Sequence, residues 1–127
     1  MAKLSDDIAL RSPVKIPEGA TKKIEVKKNG YYQIKYEWPG DDGFNYTSRW
    51  HTRPPNSPAD QMDTFVVERK IPGIGYGKNQ RSPVEEVLIG ENKWVSKADW
   101  DAARAARRRK RLTKEQEEML YNGHWKT

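Results

Sequence analysis

The chain has 127 residues, one domain's worth of sequence: enough for a single modest core and too few for two. Lys+Arg 24 against Asp+Glu 18 leave a net charge of +6 and a pI near 9.5, which favours nucleic acid, a phosphorylated surface or an acidic protein without choosing among them. The absence of cysteine excludes disulfides, cysteine–zinc sites and thiol nucleophiles, two histidines leave little for a metal, and no apolar run approaches the roughly 18 residues of a membrane span, so no metal, small-molecule cofactor or membrane partner is expected.

The N-terminus MAKLSDDIAL lacks the charged-then-apolar pattern of a signal peptide. Residues 1–20 contain Pro13, Pro17 and Gly19 without sustained periodicity and read as an arm or linker ahead of a single domain over 21–127. From Thr21 the segment TKKIEVKKNGYYQIKYEW alternates, with Ile24 and Val26 before Asn29-Gly30 and Tyr32, Ile34, Tyr36 and Trp38 after it, which is a hairpin pattern. A three-residue Lys28-Asn29-Gly30 loop with Gly30 left-handed pairs Val26 with Tyr32 and Ile24 with Ile34. A two-residue turn would set Val26 opposite Gln33 and split the apolar faces, so the longer loop is expected.

WPGDDG (38–43) reads as a turn, and FNYTSRWHTR (44–53) as a third strand that ends at Pro54-Pro55. After a polar, proline-rich loop at 54–63, TFVVERKI (64–71) is a fourth strand with Phe65, Val67 and Ile71 on one face and Thr64, Val66, Glu68 and Lys70 on the other. Three glycines between two prolines make 72–83 a mobile surface loop, and VEEVLIG gives a fifth, short strand. Two helices are expected near 97–110 and 114–121, because Ser96 precedes Asp99 by three, Thr113 precedes Gln116 by three, and Asn122-Gly123 supplies a stop. Trp100, Ala103 and Arg107 mark the inner stripe of the first helix, and Met119 and Leu120 anchor the second. Strands first and helices last predict an α+β fold: an antiparallel sheet of about four to five strands packed against C-terminal helices, with the other face free to work.

In the third strand, alternation puts Phe44, Tyr46 and Trp50 on one face, expected to be the core face. Arg49, His51 and Arg53 then share the other, successive members roughly 7 Å apart. Glu68 turns to that same face if Phe65, Val67 and Ile71 are buried. Metal-independent RNA cleavage needs this inventory: a base for the 2′-OH proton, an acid for the departing 5′-oxygen, and cations for the charge on a phosphorane-like transition state. Histidine suits either proton role near neutral pH, and arginine's planar, permanently charged fork suits phosphate. His51, Arg49, Arg53 and Glu68 are therefore the catalytic candidates, with Thr52 beside them as a substrate contact.

In the 72–83 loop, Tyr76 could stack on a base and Lys78 or Arg81 could hold phosphate. Its GxGxG pattern precedes a strand rather than a helix, so dinucleotide and P-loop readings fail on context. RAARRRKR (104–111), with Arg107 and Arg108, is a helical basic patch able to hold a nucleic-acid backbone. His124, near a helix end where histidines commonly cap carbonyls, stands last among the candidates. Plainer readings use the same residues: polar side chains that block edge pairing, a solvated loop, and a basic helix face for solvent or an acidic partner.

The tail NKWVSKADWDAARAARRRKRLTKEQEEMLYNGHW, together with RWHTRPPNSP and FVVERKIPG, resembles the C-terminal toxin domains of bacterial polymorphic toxins, those carried by LXG-type or cell-wall-associated proteins. The likeness spans roughly residues 44–125 and rests on a Trp-rich helix, a T-x-E-Q helix and a terminal GHW. Many such domains are nucleases, commonly tRNA-directed ribonucleases of the barnase, EndoU, colicin and RelE-like group, and the resemblance implies a metal-independent ribonuclease with His51 and its arginines in the site. It also implies secretion as the C-terminal part of a larger protein, action in the cytoplasm of a target cell, and neutralisation by a cognate immunity protein. The RelE-like and barnase-like pattern usually places a helix before the sheet, and residues 1–20 show little of one. The alternatives are a non-catalytic RNA- or DNA-binding module built on 104–111, a DNase toxin, and a protein-interaction domain with an acidic partner.

Overall fold

The computed structural model describes residues 7–28, 30–52, 63–73 and 82–126. Six strands follow one another as an antiparallel meander, β1 (Thr21–Val26), β2 (Tyr32–Pro39), β3 (Asn45–His51), β4 (Thr64–Ile71), β5 (Val84–Gly90) and β6 (Lys93–Ser96), each paired with the next. Helices α1 (Lys97–Arg108) and α2 (Lys114–Gly123) come next, and a two-residue β7 (Trp125–Lys126) returns to pair with the start of β4. The chain is thus α+β, an antiparallel sheet with two C-terminal helices. The strand number exceeds the four to five expected because β6 follows a tight turn at Asn92 (φ 53°) and β7 is too short to show alternation.

The first hairpin has the expected register: Ile24 faces Ile34, Val26 faces Tyr32, and Gly30 takes φ 83° where a side chain would be strained. Both helix starts are capped as their sequences require. The Ser96 hydroxyl accepts from the Asp99 N–H at 3.1 Å, and Thr113 and Gln116 form a reciprocal capping box.

The covering of the two sheet faces departs from expectation. Trp50, Ile34, Tyr36 and Phe65 do share a buried face, but the helices do not cover it. It is covered by the N-terminal segment: residues 7–9 are helical, Ile8 is buried in that cluster, Ala9 and Ile16 pack against it, and the Ser12 and Ser48 hydroxyls meet at 2.8 Å. Burying an isoleucine in this way contributes about 1.5–3 kcal/mol, so this stretch does more than lead into the domain. The helices pack on the opposite face, where Val66, Val87 and Ile89 meet Trp100, Ala103 and Leu120. The physical reason lies in β4, whose first four residues are buried on both faces and need a layer on each side. On the aromatic face, Arg69 lies 4.1 Å from both the Phe44 and Trp94 ring centroids and pairs with Glu86 at 2.8 Å, which explains how an inward-facing arginine is accommodated.

Candidate functional site

The helices cover only part of their face. Over β2 and β3 the sheet stays open beside α1, leaving a cleft of about 250 Å³. Its floor is the polar face of the meander: Gln33 opposite His51, and Arg49 beside Val66, with Glu68 on the next strand. Its wall is one stripe of α1, because Trp100, Arg104 and Arg107 fall at successive steps of four and three residues. Lys27 and Tyr31, which close the first hairpin through a Lys27 N–H to Tyr31 carbonyl bond of 2.8 Å, form the outer rim. His124 completes the cleft from the end of α2.

His51 and His124 face one another with ring centroids 6.5 Å apart and planes at 79°. Each ring is oriented through Nδ1. His124 Nδ1–H donates to the Leu120 carbonyl at 2.6 Å, and His51 Nδ1 lies 3.2 Å from the Thr52 carbonyl. In the neutral tautomer these bonds favour, Nε2 of each ring carries the free lone pair. His124 therefore does cap a helix carbonyl, as its position predicts, and the cap leaves Nε2 as its free nitrogen. Trp100 supports it at 5.1 Å between centroids. Gly123 makes that contact possible, since a Cβ there would lie 2.3 Å from the Trp100 ring.

Burial pushes both imidazoles toward the neutral form. His51 is lowered by desolvation and then by Arg49 and Arg104, against opposing pulls from the Thr52 carbonyl and Asp63. His124 is held lower, at about 4, by desolvation and by Arg107, His51 and Arg104. The guanidinium of Arg107 is itself lowered, by burial and by Arg104 and Arg108, which marks crowded positive charge. Among the described residues neither Arg104 nor Arg107 pairs with a carboxylate. An anion entering the cleft would relieve this crowding.

Glu68 lies on the predicted face, but its Oε1 is occupied: it pairs with Arg49 and lies 3.7 Å from Lys97 Nζ. Its geometry is that of an anchor that fixes the Arg49 fork. Thr52 clasps the end of the β2–β3 ladder, its hydroxyl accepting from the Tyr32 N–H at 3.0 Å while its own N–H donates to the Tyr32 carbonyl at 3.1 Å. It and Arg108 are not among the described residues lining the cleft. Arg53, Tyr76, Lys78 and Arg81 lie outside the described residues.

The structure thus joins Arg49, His51, Glu68, Arg107 and His124 and adds Lys27, Tyr31 and Arg104. The signal for Arg104 was its place four residues after Trp100 on one helix face. That for Tyr31 was the hairpin register, which sets it two residues before Gln33 and brings its ring to 6.5 Å from His51. Among the described residues, no helix is long and apolar enough to cross a membrane and no three His, Asp or Glu side chains form a metal-ligand group. Comparison with protein-family models, curated proteins and solved structures found no match to this chain.

Proposed function

We propose that the chain is a metal-independent endoribonuclease in which His51 and His124 are the proton-transfer pair. The observation that carries this reading is the meeting of two imidazoles at 6.5 Å in a cleft whose arginines 104 and 107 lack carboxylate partners among the described residues. Proton transfer requires the ribose 2′-hydroxyl and the departing 5′-oxygen each to come within roughly 2.6–3.2 Å of one imidazole, the arrangement this reading assigns to a phosphodiester bound against both rings.

One histidine, neutral, takes the 2′-OH proton as the 2′-oxygen bonds to phosphorus. The other, protonated, gives its proton to the 5′-oxygen as the P–O5′ bond breaks. The products are a 2′,3′-cyclic phosphate and a 5′-hydroxyl, and the two histidines have exchanged protonation states. In the free protein burial favours the neutral form of both, so the negative charge of the bound phosphate must raise one of them to supply the acid. Arg104, Arg107 and Arg49 stabilise the charge that accumulates on the non-bridging oxygens, the kind of contribution worth about 2.7–4 kcal/mol per donor. Glu68, a catalytic candidate by sequence, serves in this scheme by holding Arg49.

The biological setting offered here is the one the sequence resemblance implies: a toxin domain directed at tRNA in a target cell and blocked by an immunity protein. A basic cleft is a surface that an acidic inhibitor could close, which is consistent with that setting.

The test is incubation of the purified chain with total tRNA in EDTA. The expected result is cleavage leaving 2′,3′-cyclic phosphate ends. Intact RNA with a salt-dependent mobility shift would replace this reading with a non-catalytic binding module, and cleavage only with added divalent metal would overturn the mechanism.

A further inference from the structure

A second groove, of about 530 Å³, meets the cleft at His124, which lines both. Its volume falls in the range of about 300–1,000 Å³ usual for small-ligand sites. Its lining pairs aromatic and amide groups with positive charge: Tyr121, Trp125 and Asn122, with Lys93 and Lys126 at the rim and no carboxylate among the described lining residues. Tyr121 is 67 % exposed, a large ring in solvent outside both core clusters. The Lys126 ammonium lies over that ring, 5.1 Å from its centroid, a solvent-exposed cation–π contact that a stacking base would displace, freeing the ammonium for a phosphate.

We infer that this groove is the subsite for the nucleotide next to the scissile phosphate on the His124 side, its base stacked on Tyr121 and a neighbouring phosphate held by Lys93 and Lys126. The occupant follows from chemistry and continuity. A strand whose phosphate lies between His51 and His124 must continue past one of the two rings. Beyond His124 it meets the three features that bind unpaired nucleotides: an exposed aromatic ring, a side-chain amide for a base edge and, for the backbone, ammonium groups that have no carboxylate partner among the described residues. Trp125 forms the floor, fixed by its indole N–H donating to the Leu88 carbonyl at 3.1 Å. A rigid floor and an exposed side wall suit a base inserted edge-first. The subsite is thus where preference for one base over another would be read.

The inference rests on the ribonuclease reading for its orientation, and binding can be measured without cleavage. A 2′-O-methyl tetranucleotide lacks the attacking hydroxyl and is titrated by fluorescence anisotropy against the full chain. Tyr121→Ala should weaken binding roughly tenfold, the usual order for losing one base–aromatic stack. Tyr121→Phe should restore it, and Lys126→Ser should weaken binding while lowering its salt dependence. Unchanged thermal melting of Tyr121→Ala confirms that the exposed ring was not holding the fold. Affinity unaltered in both Tyr121→Ala and Lys126→Ser overturns the subsite even if the wild type cleaves tRNA. Tyr121-dependent binding by a chain that leaves tRNA intact upholds the subsite and sinks only the catalytic reading.

Discussion

His51, at the end of β3, and His124, at the C-cap of α2, place their rings 6.5 Å apart although each is anchored through Nδ1 to a carbonyl close by in its own stretch of chain, Thr52 for one and Leu120 for the other. Two independent local anchors therefore leave Nε2 as the free nitrogen on two rings that line one cleft. If these atoms move the protons, His51→Ala and His124→Ala should each lower the single-turnover cleavage rate by about 10²–10⁴. The double variant should be little slower than the worse single, since the pair acts as a unit. A His124→Ala chain that cleaves within tenfold of wild type would remove His124 from the mechanism.

Glu68 holds Arg49 rather than a proton in this scheme. Glu68→Gln should leave the shape of the pH–rate profile intact and reduce kcat/KM by about tenfold, in line with the roughly 1–3 kcal/mol of a disturbed charged hydrogen bond. Arg49→Ala should cost at least as much. Disappearance of one limb of the profile in Glu68→Gln would show that the carboxylate titrates in catalysis after all.

Arg104 and Arg107 line the cleft, and Arg108 does not. For a single-stranded ligand each phosphate contact contributes about 0.7 to the slope of log K against log salt. Arg104→Ala and Arg107→Ala should each flatten that slope by about this amount, with a smaller change in Arg108→Ala. Equal effects of all three would indicate binding along the outer face of α1 instead of in the cleft.

Burial of neutral His124 also ties stability to pH. Its folded pKa, about 4, lies below the ordinary value of 6.5, so the folded state binds the proton less readily than the unfolded chain. That contribution is complete above about pH 6.5 and is lost as pH falls toward 4, by up to about 3 kcal/mol. His51 is shifted in the same direction and adds to the loss. Urea unfolding at pH 7.5 and pH 4.5 should show a larger drop for wild type than for His124→Ala. A drop of the same size in both would mean that the ring is not held neutral by burial.

Local rules made much of the molecule readable from sequence. Period-two alternation sorted Trp50 from Arg49 and His51, loop length fixed the register of Ile24 against Ile34, and side-chain caps at Ser96 and Thr113 set both helix starts. Each depends on residues close in the chain, where backbone geometry leaves few choices. Alternation says which side chains share a face, but not which layer will cover it. That choice fell to the competing burial of Ile8 against the aromatic face and of Trp100 and Leu120 against Val66 and Val87. His124 lies beside His51 where β7 pairs with β4 and Gly123 lets Trp100 approach. Such long-range contacts leave no periodic trace, so the sequence determined the parts and the faces, and tertiary packing decided that two histidines would share one cleft.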